Sequence, residues 1–148
     1  MSHDRDFGEK VQSLQMAFRF GIMSIMSYIL VFIGGGIGAV ARYWLQGAVY
    51  RIMPADFPYG TFLVNLVGSF AIGFLMSSFE ERFLVTPGLR LFLTIGILGG
   101  FTTFSSFSYE TIALFRDGSF ALGLLNAAAS LCLCLGATWL GLTVGKIV

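Results

Sequence analysis

Charge is the scarcest commodity in this chain. Asp, Glu, Lys and Arg make up 11% of its 148 residues, against about 25% in an ordinary soluble domain, which excludes a water-soluble class. The single histidine, His3, lies in a polar leader. Histidine-based acid–base or triad chemistry is therefore excluded from the apolar body. Paired carboxylates are missing there too, because Glu110 stands alone inside the long apolar segments. No enzyme is expected. Cys132 and Cys134, the only two cysteines, have the spacing of neither a zinc pair nor a redox motif. They read as small core hydrophobes. The net charge of +1 suggests no nucleic-acid partner.

What is present is apolar sequence. Residues 1–26 form a polar and amphipathic leader. It lacks the uninterrupted apolar run and small-residue cleavage site of a signal peptide. Phe18, Phe20, Ile22 and Met23 suit a short interfacial helix, and Met16, Met23 and Met26 offer later starts, so the leader reads as dispensable. Residues 27–148 are the membrane domain. Spans are expected near 27–50, 60–79, 89–115 and 120–144, each reaching the roughly 20 residues that cross a bilayer. Between them lie three turns. Pro54, Asp56 and Pro58 break the first; Glu80, Glu81 and Arg82 open the second, which ends at Thr86-Pro87-Gly88; Arg116-Asp117-Gly118-Ser119 makes the third.

The first span contains Gly34-Gly35-Gly36-Ile37-Gly38-Ala39-Val40-Ala41-Arg42. Gly36, Gly38 and Ala41, with Asp56 further on, imitate a dinucleotide fingerprint. That motif needs a βαβ unit, and long spans follow instead. Small residues that let helices approach closely are the better reading, as at Gly96/Gly100 and Gly141/Gly145. Arg42 is costly inside a span. It either snorkels to the interface or orders an aqueous vestibule. Thr61, Asn65 and Ser69 share one face of the second span, and Asn126, Ser130, Cys134 and Thr138 share one of the fourth. Asn65 is either a helix–helix link or a ligand group.

The third span is organised differently. Gly99-Gly100-Phe101-Thr102-Thr103-Phe104-Ser105-Ser106-Phe107-Ser108-Tyr109-Glu110 starts with poor helix formers, then alternates phenylalanines with hydroxyls. A helix that only met lipid would need none of these hydroxyls. The span also exceeds the length needed to cross, which fits a mid-membrane break between two half-helices. Four spans enclose no roomy pore, so an oligomer is expected. Leaving the leader aside, Arg82, Arg90 and Lys146 fall on one side and Arg51 and Arg116 on the other, with Arg42 near them. Such weak positive-inside bias lets a chain insert both ways and pair antiparallel. With the leader, Arg5, Lys10 and Arg19 favour an inside N-terminus.

Gly-Gly-x-Gly-Ala-x-x-Arg over residues 35–42, Tyr59-Gly60-Thr61-x-x-x-Asn65 and the motif over residues 99–110 together resemble the CrcB/Fluc fluoride channels. The resemblance covers residues 27–148 and leaves only the leader without a counterpart. It implies an all-α membrane protein of four transmembrane helices, the third broken in mid-membrane, assembled as an antiparallel, dual-topology homodimer in the cell (inner or plasma) membrane. It implies two pores and passive export of cytoplasmic fluoride, lowering its toxicity. The family's phenylalanine box maps to Phe104 and Phe107, and its pore asparagine to Asn65. Its hydroxyl track maps to Ser105, Ser106 and Ser108, its fourth-helix serine to Ser130, and its third-helix glutamate to Glu110. Thr61 joins the pore group and Arg42 is a vestibule candidate. A structural sodium ion at the dimer's centre maps to the backbone carbonyls of Gly99 and Thr102. Position 126 is Asn where some members carry Tyr.

These roles make physical sense. Fluoride is small and strongly hydrated, so a selective pore must replace its water with close donors. An amide and hydroxyls can donate; carbonyls and carboxylates cannot. A phenylalanine edge is positive and can face an anion without trapping it, and conduction needs binding weak enough to release. Two rivals remain. A small dual-topology, proton-coupled exporter needs a membrane-buried carboxylate, expected in its first helix, and 27–50 has none. A non-transporting accessory subunit would use the polar faces only to join helices.

Overall fold

The structure, a computed structural model, describes residues 3–81 and 85–147, with side chains from residue 24 onward except Glu81. The elements are α1 (His3–Tyr50), α2 (Tyr59–Glu81), α3 (Pro87–Leu91), a π-helical segment (Phe92–Leu98), α4 (Gly99–Phe101), α5 (Phe104–Arg116) and α6 (Phe120–Gly145). Among the described residues four stretches are long and apolar enough to cross a membrane: Ser24–Tyr50, Tyr59–Glu80, Pro87–Arg116 and Phe120–Gly145. The chain is thus an all-helical, multi-pass membrane protein. Its spans match the sequence expectation to within a few residues. The 22 residues of the second reach about 33 Å at 1.5 Å per residue, enough for a hydrocarbon core of about 30 Å.

At the N-terminal end, α1 runs unbroken from His3, so the leader's backbone continues the first span's helix instead of forming a separate one. No proline stands before Pro54 to stop it. The side chains of Phe18, Phe20, Ile22 and Met23 lie outside the described ones, as does the Arg82 part of the second turn. Where turns are described, their chemistry is local. Thr86 caps α3 by accepting from the Leu89 N–H at 3.3 Å, with Pro87 at the first helical position. After α5, Gly118 takes φ +78. The Gly118 N–H donates to Phe115 O at 3.2 Å and the Ser119 N–H to Leu114 O at 2.9 Å. This is a Schellman stop, and glycine suits its left-handed position.

Packing inverts the rule of soluble proteins. Among the described residues the buried hydrophobic ones are only Val49, Phe57 and Val64, while Phe32 is 83% and Trp44 70% exposed on the single chain. In water such a surface would aggregate; in a bilayer it is solvated by lipid. The helices instead meet along seams of glycine. α1 lies against the π-helical segment, where a Cβ on Gly96 would come within 3.0 Å of the Gly34 Cα and one on Gly38 would collide with the Ile97 carbonyl. α2 runs along α6, with Gly73 against the Thr138 backbone and Gly141 against the Phe70 carbonyl. The glycine run in the first span therefore serves close approach between helices.

A pair of substitutions on α6 tests the seam. Gly141→Ala is expected to destabilise by about 1–3 kcal/mol through overpacking. Gly136→Ala, where an added Cβ meets nothing within 4 Å, is expected to be neutral or slightly stabilising. Thermal unfolding of the purified protein in detergent reads both, and equal midpoints would refute the seam.

Candidate functional site

Helical pairing ends at Thr102, whose N–H still donates to Leu98 O at 3.0 Å. Thr102 (φ −77, ψ 156) and Thr103 (φ −149, ψ 112) are extended before α5 begins at Phe104. A lipid-facing backbone could not leave such groups unpaired, and α2 supplies what they need. The Asn65 side-chain amide donates to Thr103 O at 2.9 Å, and its carbonyl accepts from the Thr103 N–H at 2.8 Å. One side chain thus replaces both backbone partners of one residue. Asn65 is a link between helices, and its second amide N–H remains over for another acceptor.

Thr103 then starts the next helix. Its Oγ1 accepts from the Ser106 N–H at 3.2 Å as an N-cap and donates to Ser106 Oγ at 3.0 Å. Since its one proton goes to Ser106, the 3.2 Å contact with Ser105 Oγ has Ser105 as donor. Ser108 donates to Phe104 O at 2.9 Å. Of the three hydroxyls on this face of the motif, Ser106 is the one whose own proton stays uncommitted. The same diversions release carbonyls. The helical donors for Gly99 O and Thr102 O, four residues on, are the N–H groups of Thr103 and Ser106. These bond to Asn65 and to Thr103 Oγ1 instead.

A groove of about 720 Å³ runs past this joint, with Asn65, Gly99, Thr102, Phe104, Phe107 and Ser130 among its lining. The Phe104 and Phe107 rings are 5.5 Å apart and tilted by 47°. Phe104 is 79% exposed on the single chain. Ser130 donates to Asn126 Oδ1 at 3.4 Å, the Asn126 amide to Thr111 Oγ1 at 2.8 Å, and Thr111 to Phe107 O at 2.7 Å. Asn126, only 1% exposed, is consequently an internal strut tying α6 to the phenylalanine turn.

Ser105, Ser106, Ser108, Thr61, Glu110 and Arg42 are not among the groove's lining residues. Across α1, α2 and α5 a second polar relay forms, with Gln46 donating to Thr61 Oγ1 at 3.0 Å and Thr61 to Glu110 Oε1 at 2.8 Å. Glu110 Oε2 is buried without a partner, as is Arg42 Nε, one turn before Gln46 on α1. The described residues thus bring six predicted positions to one groove and place Thr61 and Glu110 in a neighbouring relay.

Comparison with known proteins places this geometry. Residues 29–142 match the family model described as CrcB-like protein, Camphor Resistance (CrcB). The chain belongs to the CrcB family. Among its relatives, the fluoride-specific ion channel FluC of Geotalea uraniireducens (strain Rf4) is 49% identical over 124 residues, covering 84% of this chain and 98% of that protein. The FluC of Magnetococcus marinus (strain ATCC BAA-1437 / JCM 17883 / MC-1) is 48% identical over 123 residues, 83% of this chain and 100% of its own. The FluC of Geobacter sulfurreducens (strain ATCC 51573 / DSM 12127 / PCA) is 48% identical over 124 residues, 84% and 98%. All three are named as ion channels and not as enzymes.

Three residues of the site in this CrcB family member escape a reading by pattern alone. Thr103 and Thr111 look like two more hydroxyls, although a threonine directly ahead of a fresh helical run is a capping signal. Gln46 carries a signal too, being an amide in an otherwise apolar span.

Asn65→Ala removes both bonds to Thr103 and leaves its N–H and carbonyl buried without partners. A loss of about 1–3 kcal/mol for each orphaned group is the expected range. Asn65→Asp keeps the acceptor but sets a carboxylate oxygen against the Thr103 carbonyl, and is expected to be impaired as well. Thermal unfolding in detergent measures this. A wild-type midpoint in both variants would remove Asn65 from the joint.

Proposed function

We propose that the chain is a fluoride-selective channel. It acts as an antiparallel, dual-topology homodimer in the cell membrane, with two pores that export cytoplasmic fluoride passively and so lower its toxicity. The observation that carries this reading is the two-point clamp of Asn65 on Thr103 beside the Phe104–Phe107 pair, in a chain nearly half identical to proteins named fluoride-specific ion channels.

In this reading the interruption at Thr102–Thr103 sits in mid-membrane. The groove becomes a pore wall once a second chain covers it, because irregular backbone persists at that depth only when protein buries it. A dehydrating fluoride ion exchanges water for the spare Asn65 N–H, the Ser106 hydroxyl and the positive ring edges of Phe104 and Phe107. Ser105, Ser108 and Ser130 must first release an internal bond to donate, which keeps binding weak enough for passage. Thr61 and Glu110 continue the wall, and Arg42 draws anions toward a vestibule. The released carbonyls of Gly99 and Thr102 are hard oxygen donors suited to a sodium ion. At a two-fold axis each would count twice, and the ion would supply charge that joins the chains. Residues 1–26 are a dispensable leader in this reading.

A proton-coupled exporter is not favoured, since Ser24–Tyr50 holds no carboxylate. Purified protein in fluoride-loaded liposomes tests the proposal. Rapid passive fluoride efflux with negligible chloride leak is expected, and equal chloride passage would overturn it. Phe104→Ile or Phe107→Ile is expected to abolish flux while the dimer persists in size-exclusion chromatography. Unchanged flux would take both rings out of the pore. Removing sodium is expected to lower flux and dimer stability together; indifference of both would show that no structural ion is held.

A further inference from the structure

The leader is the part of the chain that the channel reading leaves unused, and its placement gives it something to do. The family match begins at residue 29, whereas α1 starts at His3 and runs through to Tyr50. The first span takes up Ser24–Tyr50 of that helix. Its backbone therefore carries residues 3–23 beyond the span, on the N-terminal side of the membrane. Arg19, Lys10 and Arg5 stand five, fourteen and nineteen residues before Ser24. All lie within the roughly 15–20 residues over which basic side chains orient a membrane protein.

The rest of the chain is nearly balanced. By the order of the spans, Arg82, Arg90 and Lys146 belong to the N-terminal side. Arg51 and Arg116 belong to the other, and Arg42 sits toward that end of its span. Three against two or three sets no clear orientation. The leader's cations raise the N-terminal side to six, and Asp4, Asp6 and Glu9 offset this little, because acidic residues weigh lightly in orientation. We infer that residues 3–23 are an orientation signal that biases a chain able to insert either way toward the orientation with both termini in the cytoplasm, leaving a minority inserted the other way. Resting on the antiparallel reading above, the leader then sets how many oppositely oriented copies are available to pair. It limits the number of assembled channels without touching the pore.

The test is the orientation of the full chain in cells, read with two C-terminal fusions. Green fluorescent protein fluoresces only when the C-terminus is cytoplasmic, and alkaline phosphatase is active only when it is outside. For the wild-type chain, fluorescence is expected to exceed phosphatase activity several-fold after normalising for expression. In the triple substitution Arg5→Gln, Lys10→Gln, Arg19→Gln the ratio is expected to fall to near unity. A wild-type ratio near unity overturns the inference, as does a triple variant that keeps the wild-type ratio. The reporters respond to orientation alone. Loss of the channel reading, seen as absent fluoride flux in liposomes, is thereby told apart from failure of the leader's role.

Discussion

One side chain holds this fold's irregularity in place. An extended pair of threonines within an apolar helical span is untenable unless its peptide groups are paired, and Asn65 pairs both groups of Thr103 at 2.8 and 2.9 Å. Everything near the joint follows from that substitution of an amide for a turn of helix. Thr103 is free to cap α5, its hydroxyl occupies Ser106, and the carbonyls of Gly99 and Thr102 lose their helical donors. A residue expected to choose between joining helices and meeting an ion does the first, and one of its N–H groups stays uncommitted.

The joint also explains why hydroxyls crowd this region. Each Ser or Thr has one proton, and most are committed to a carbonyl one turn back or to a neighbouring hydroxyl. Ser108, Thr111, Thr102 and Thr138 all bond to a backbone carbonyl four residues earlier. Density of hydroxyls is thus not density of available donors. In the proposed channel, the groove's capacity to meet an anion rests on a few groups, and the others hold those groups in position.

The four spans were legible in the sequence because apolar length is a one-dimensional property, visible without knowing what touches what. The small residues of 34–38 were equally legible, since only close helix contact makes use of so many glycines in a row. The π-helical segment before the joint was not. Its seven residues contain no proline, and what accompanies the shift in pairing is a bond from Thr94 Oγ1 back to Arg90 O and packing against α1, neither visible in the local pattern. Gln46, Thr61 and Glu110 are 15 and 49 residues apart in sequence, and no periodic pattern relates positions on three different helices. Asn126 was read from its face on α6, yet its burial follows from Thr111 standing opposite.

The glycine seams reverse the usual map of what a protein tolerates. In a soluble domain, drift is freest on the polar surface and slowest among large core side chains. Here most outward residues are bulky and apolar, and where such a residue meets lipid alone any lipid-compatible replacement leaves its surroundings intact. At Gly38, Gly73 and Gly141 a single methyl group has nowhere to go. Over evolutionary time the chain is free to exchange its large lipid-facing side chains and is held to its smallest residues.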